Sequence, residues 1–298
     1  MRDVTSARSS PASGRKPSPQ RFDVFGFRFT FSSPDATATA LVRRLYGRFG
    51  VATGGSRAHF SLAFDTGTGA WRSMLGAQVL CEKPCLSPVL HELEYAICAR
   101  VLRSAGCMIL HGALVRGHSR AALLIGESGA GKSTLALALA ARGYRVEGDD
   151  IALYDPLYGA IRALPRCVHL DGASWRLLIA AGLRVPDLAR RHNFVSPSDL
   201  GASGEAVESI DEIVLLSLGP SSQHPIEPIS QASMAMALLA EAGWEGMPME
   251  AALTAIGRLV GAARCHRAGR DELSGTTQAV ASLLGPPDQS RARCSSER

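Results

Sequence analysis

Residues 126–133 read Gly126-Glu127-Ser128-Gly129-Ala130-Gly131-Lys132-Ser133, the pattern G-x-x-x-x-G-K-S, and no other stretch restricts the fold as much. The glycines permit a tight turn in which successive backbone N–H groups point inward at an anion. A lysine in the seventh place reaches the β- and γ-phosphates of a nucleotide, and the hydroxyl after it ligates Mg2+. Such a loop works only between a strand and a helix. The flanks supply both. Ala121-Ala122-Leu123-Leu124-Ile125 is a short apolar run with the character of a buried parallel strand. Leu135, Leu137 and Leu139, set among alanines, favour a helix that Gly143 would cap. Lysine is otherwise scarce: Lys16, Lys83 and Lys132 are the only ones among 32 basic residues. A chain that writes its positive charge as Arg thus keeps a slim ammonium where a point charge is needed beside phosphates. The expected nucleotide-binding residues are Gly126, Glu127, Ser128, Gly129, Ala130, Gly131, Lys132, Ser133 and the adjoining Thr134.

One helix and one returning strand fit between Lys132 and the pair Asp149-Asp150, which places two carboxylates at a strand end beside the phosphates. There they can divide two tasks. Asp150, with Ser133, is expected to orient Mg2+, and Asp149 to take the proton from an attacking hydroxyl. Cys107-Met108-Ile109-Leu110 reads as a short strand that ends at His111. Taken alone, His111 reads as structural. If its strand pairs beside the loop strand, the imidazole arrives next to Asp149 and tunes its basicity. The expected catalytic set is then Asp149, His111 and Lys132.

Together these elements resemble the HPr kinase/phosphorylase family, in particular its C-terminal catalytic domain and the related stand-alone serine kinases. The resemblance runs through Leu110-His111-Gly112, the loop from Gly126 to Ser133, and Arg142-Gly143-Tyr144-Arg145-Val146-Glu147-Gly148-Asp149-Asp150. It covers residues 90 to 156, with a weaker match to 284. It implies an α/β fold with a P-loop kinase core like that of phosphoenolpyruvate carboxykinase, and ATP and Mg2+ as cofactors. It also implies that Asp149 accepts the proton of a protein serine with His111 in support, and it suggests a homo-oligomer. Thr134 stands where those kinases carry Glu, and their later box with an acidic Mg2+ ligand and an arginine is not recognisable. Ala163-Leu164-Pro165-Arg166-Cys167-Val168 occupies the corresponding stretch and looks more like the subfamily found with peptide-modification genes. The expectation is therefore a kinase acting on a serine of a protein or precursor peptide, without phosphorylase activity. A small-molecule kinase and a nucleotide-gated binding protein remain as alternatives.

The rest of the chain sets bounds. Its 298 residues, 46% apolar and 20% charged, suffice for one large domain or two smaller ones. A net charge of +5 comes from dispersed arginines with no aromatic-and-basic module, so no nucleic-acid partner is expected. No apolar run reaches the length of a membrane span, and the N-terminus lacks the apolar stretch of a secretory signal, so no membrane association and a cytoplasmic address are expected. Cys81, Cys85, Cys98, Cys107, Cys167, Cys265 and Cys294 are expected as reduced thiols. Cys81 and Cys85 are spaced like metal ligands, but no matching Cys/His pair follows, and no structural zinc is expected there.

Residues 1–20, rich in Ser, Pro and Arg, read as a disordered tail, and 286–298 as a second one. A small α+β unit is expected over 21–85, from the alternation of Phe25, Phe27, Phe29 and Phe31, a helix over 36–48, and a strand through Phe60, Leu62 and Phe64. The catalytic domain is expected over 86–285. It opens with a helix through Leu86, Leu90, Leu93, Ile97 and Val101. Further strands are expected at 151–154, 162–170 and 210–218, and helices at 174–181, 234–242, 251–262 and 276–284. The polar segment 190–204 reads as a surface loop.

Overall fold

The computed structural model describes residues 18–287 except 169, 171, 181–185, 218–224, 244–246 and 270–272. The two expected tails lie outside the described residues apart from 18–20 and 286–287. The fold is a mixed α/β structure with two sheets.

The first sheet is built from β1 (Gln20–Val24), β2 (Phe27–Ser32), β3 (Ala58–Asp65), β4 (Ala70–Leu75) and β5 (Gln78–Lys83), in that order. Helix α1 (Ala36–Tyr46) follows β2, and its N-terminus is closed by the Asp35 side chain accepting from the Ala38 N–H. The crossover through α1 makes β2 and β3 parallel, and every other pair in this sheet is antiparallel. The phenylalanine alternation was expected to start a strand at Phe25, but Phe25 and Gly26 have φ of 50° and 85°. They form the two-residue turn that joins β1 to β2, with Val24 opposite Phe27. Beyond the turn the pattern does its usual work: Phe27, Phe29 and Phe31 are buried. Phe29 packs edge-on against Tyr46 and Phe60, at ring distances of 5.4 Å and 5.6 Å.

Helix α2 (Leu86–Ala105) buries Leu86, Val89, Leu90, Leu93, Ile97, Cys98 and Val101 in the same core as those phenylalanines. Pro88 falls in its first turn, where no N–H is missed, and Gly106 closes it in the left-handed conformation. Leu153, Leu164, Cys167 and Phe194 enter this core from later in the chain, so it continues into the segments that carry the acidic pair.

The second sheet contains β6 (Met108–Arg116), β7 (Ala121–Ile125), β8 (Arg145–Gly148), β9 (Ile151–Tyr154), β10 (Ile161–Ala163), β11 (Glu212–Leu216), β12 (Glu227–Pro228), β13 (Ala242–Gly243) and β14 (Arg264–Ala268). Its main path runs β10-β9-β6-β7-β11-β14-β12, with β8 and β13 also pairing with β6. Strands β7, β11 and β14 are parallel, while β6 is antiparallel to β7, β8 and β9. Around it stand α3 (Lys132–Ala141), α4 (Gly172–Ala180), α5 (Asp187–His192), α6 (Gln231–Glu241), α7 (Met249–Ala262) and α8 (Leu273–Leu284). Among the described residues no helix is long and apolar enough to cross a membrane.

Two expectations change. The strand expected over 162–170 is only β10; beyond it the chain runs irregularly, with Leu164, Cys167 and Val168 buried. The segment 190–204 is no surface loop. It holds the end of α5 and a 3-10 turn over Pro197–Leu200, and Phe194, Val195 and Leu200 are buried. Its backbone is tied down by the buried Glu147, which accepts hydrogen bonds from the Ser203 N–H at 3.2 Å and the Gly204 N–H at 3.0 Å.

Because Phe29 stands at the centre of the first core, Phe29→Ala is expected to lower unfolding free energy by about 3–5 kcal/mol. Equilibrium denaturation with urea checks this.

Candidate active site

The loop expected from sequence leaves β7 at Gly126 and enters α3 at Lys132. Gly126 has a φ of 143°, and a Cβ there would sit 2.4 Å from the Leu216 carbonyl oxygen of β11, so only glycine lets β11 approach the loop. Gly129 and Gly131, with φ of 83° and 98°, turn the chain into α3. Nothing lies within 4 Å of a Cβ added at either one, so this face of the loop opens on free space.

Lys132 is only 6% exposed, and its ammonium curls back over the loop. Nζ donates to the Gly126 carbonyl at 2.6 Å and to that of Glu127 at 3.1 Å. Burial pulls its pKa below that of a free lysine. The two carbonyl oxygens satisfy the donors that phosphate oxygens can take over.

His111 stands on β6 opposite Ile151 of β9, and Gly112 opposite Ile125 of β7. A Cβ on Gly112 would lie 2.8 Å from the Leu124 carbonyl oxygen, so glycine is needed for β6 to lie this close to β7. The Gly112 N–H also donates to the Asp150 carbonyl at 2.9 Å. The same strand thus touches the loop strand and the acidic pair.

The two aspartates take different surroundings. Asp149 is 7% exposed, and burial pushes its pKa up to about 6 against the opposing pull of the nearby Ser133 hydroxyl. Asp150 is held from both sides. His111 Nε2 lies 2.9 Å from its Oδ1, and the Arg166 guanidinium donates to its Oδ2. The His111 hydrogen bond is the main cause that holds the Asp150 carboxyl below the ordinary aspartate range. His111 in turn has its pKa raised, chiefly by that bond, and its Nδ1 lies 3.4 Å from Glu241 Oε2. With an acceptor at each ring nitrogen, the doubly protonated imidazolium is the form that suits.

The structure gathers His111, Lys132, Asp149 and Asp150 in one place, with one pairing different from that expected. His111 was expected on Asp149 and lies on Asp150. Two further groups join this cluster. Arg166, whose side chain is 14% exposed, joins Asp150 to Glu94 of α2, with Nε 3.6 Å from Glu94 Oε1 and without a hydrogen-bond partner. Glu241 ends α6 next to His111, and nothing in its spacing along the chain marks it. Glu94 is buried and has its pKa raised to about 7 by desolvation.

No protein-family model and no curated protein matches the chain. Among solved structures it is similar to the Hpr(Ser) kinase/phosphatase from Coxiella burnetii, at 14% identity over 63% of this chain and 92% of that one, with a TM-score of 0.28.

The raised pKa of Asp149 has a consequence for stability. Its folded value, about 6, lies above the ordinary 3.8, so the native state holds this proton more tightly than the unfolded chain does. Stability from this group is full below the unfolded value and is lost as pH rises through the folded one. Asp149→Asn removes the buried charge, and at pH 8 the variant is expected to be more stable by about 1–3 kcal/mol. Denaturation curves at pH 5 and pH 8 check both the sign and the pH window.

Proposed function

We propose that the chain is an ATP- and Mg2+-dependent kinase that transfers the γ-phosphate to a serine hydroxyl of a protein or peptide, without phosphorylase activity. The observation that carries this reading is the buried carboxyl of Asp149, near enough to Ser133 at the end of the glycine loop for that hydroxyl to act on its pKa. It sets a group able to take a proton beside the place where phosphates fit.

In this reading the N–H groups of 126–133 and the Lys132 ammonium hold the β- and γ-phosphates. Bound Mg2+ would draw charge from the phosphate oxygens, and the Ser133 hydroxyl at the end of the loop would help to hold it. Asp150, both of whose oxygens are engaged by His111 and Arg166, serves as a fixed anchor and is a weaker candidate for metal ligand. Asp149 accepts the proton of the acceptor serine as its oxygen bonds the γ-phosphorus, and the bond to the β,γ-bridging oxygen breaks to release ADP. His111, Arg166 and Glu241 fix Asp150, and through the backbone that joins the two aspartates they fix Asp149.

Two outcomes are expected when labelled ATP is offered with serine-containing proteins and peptides. Asp149→Asn should lower kcat by about 100-fold or more while ATP still binds; transfer at the wild-type rate would remove the proposed base. In the wild type, kcat should rise with pH and level off above about 6, because the base acts only as the carboxylate. A profile flat through that range would assign the proton elsewhere.

A further inference from the structure

Arg166 joins Asp150 to Glu94, and Glu94 belongs to a second cluster that the proposed transfer does not use. His91 and Glu94 stand three residues apart on α2 and so share one helix face. Cys167 meets them from the irregular segment after β10. Its Sγ lies 2.6 Å from Glu94 Oε2 and 3.3 Å from His91 Nδ1, and that nitrogen is 4.0 Å from the same Glu94 oxygen. We propose that His91, Glu94 and Cys167 form a binding site for one thiophilic divalent cation of the zinc class.

Four points support the assignment. An imidazole, a carboxylate and a thiolate are the donors that a borderline-soft dication selects over Mg2+ or Ca2+. The geometry is close: tetrahedral zinc sets donors about 3.5 Å apart for S and O, about 3.6 Å for S and N, and about 3.3 Å for N and O. The sulfur–carboxylate contact must open and the imidazole–carboxylate contact must close by less than an ångström each. The charges balance too. On binding, the ion displaces the Cys167 thiol proton to solvent, and thiolate plus carboxylate then neutralise the dication, leaving no net charge in a buried place. Finally, the carboxylate is already oriented, because the Cys167 N–H donates to Glu94 Oε1 at 2.9 Å and leaves Oε2 for the ion. The His91 side chain is 21% exposed against 3% for Glu94, so the cluster meets solvent at its His91 edge.

The test uses the full-length protein, reduced, stripped with a chelator and titrated with Co2+ as an optical probe. A thiolate-to-Co2+ charge-transfer band should appear, saturate at one equivalent, vanish on adding Zn2+, and be absent in Cys167→Ser. In His91→Ala the Co2+ affinity should fall at least about tenfold. A wild-type protein without the band overturns the proposal and leaves the cluster as a hydrogen-bonded thiol. A band that survives Cys167→Ser overturns it as well, because the sulfur then comes from elsewhere, such as the exposed Cys85. Should circular dichroism find Cys167→Ser unfolded, His91→Ala decides, and an unchanged affinity there refutes the site.

Discussion

Strand β6 sets Gly112 opposite Ile125 on one edge and His111 opposite Ile151 on the other, and these two registers bring the site together. Ile125 is the last residue before the glycine loop, and Ile151 the first after the acidic pair. A one-residue slip on either edge would turn every side chain of β6 to the opposite face and carry His111 away from Asp150. The slip is opposed from both directions. The close approach at Gly112 admits no side chain, and its N–H is committed to the Asp150 carbonyl. Apolar burial on both faces of the sheet reinforces the register, since Leu110, Ala113, Leu114 and Val115 are all buried.

Buried acids hold the parts of the molecule that hydrophobic patterning leaves undetermined. Glu147 collects N–H and O–H donors from Ser203 and Gly204. Glu212 on β11 is fully buried and is met by Arg264 and His266 of β14, the latter at 2.9 Å. Each carboxylate would be costly alone, and each is matched by donors fixed in register across neighbouring strands or by a loop backbone. The same logic runs through Glu94, Arg166, Asp150 and His111, where acid and base alternate from α2 to β6.

This distribution explains what the sequence revealed. The loop, its flanking strand and helix, α2 and the phenylalanine strands were legible because each depends on local pattern: glycines that need positive φ, a 3.6-residue apolar period, a two-residue alternation. Strands β4 and β5 were not, because neither carries an apolar alternation and β5 is largely solvent-facing. Strand β14, Arg264-Cys265-His266-Arg267-Ala268, was missed because its polar side chains look like a loop until Glu212 is seen beside them. Segment 190–204 misled for the same reason: its polarity is spent on Glu147 and on its own turn. At the site, the residue types were legible and the pairings were not, because which aspartate meets His111 depends on strand register.

That pairing is what separates two adjacent carboxyls of one chemical kind. Asp150, flanked by an imidazolium and a guanidinium, is held ionised; Asp149, shielded from water, keeps its proton up to about pH 6. Adjacent titratable groups driven in opposite directions are the arrangement in which one can exchange a proton near neutrality while the other stays a constant charge. The constant charge matters to its neighbour, for an ionised Asp150 makes a second negative charge at Asp149 harder to form and so raises its affinity for the proton. Had His111 paired with Asp149 instead, the same hydrogen bond would have lowered that affinity and left two adjacent carboxylates of like, weak basicity.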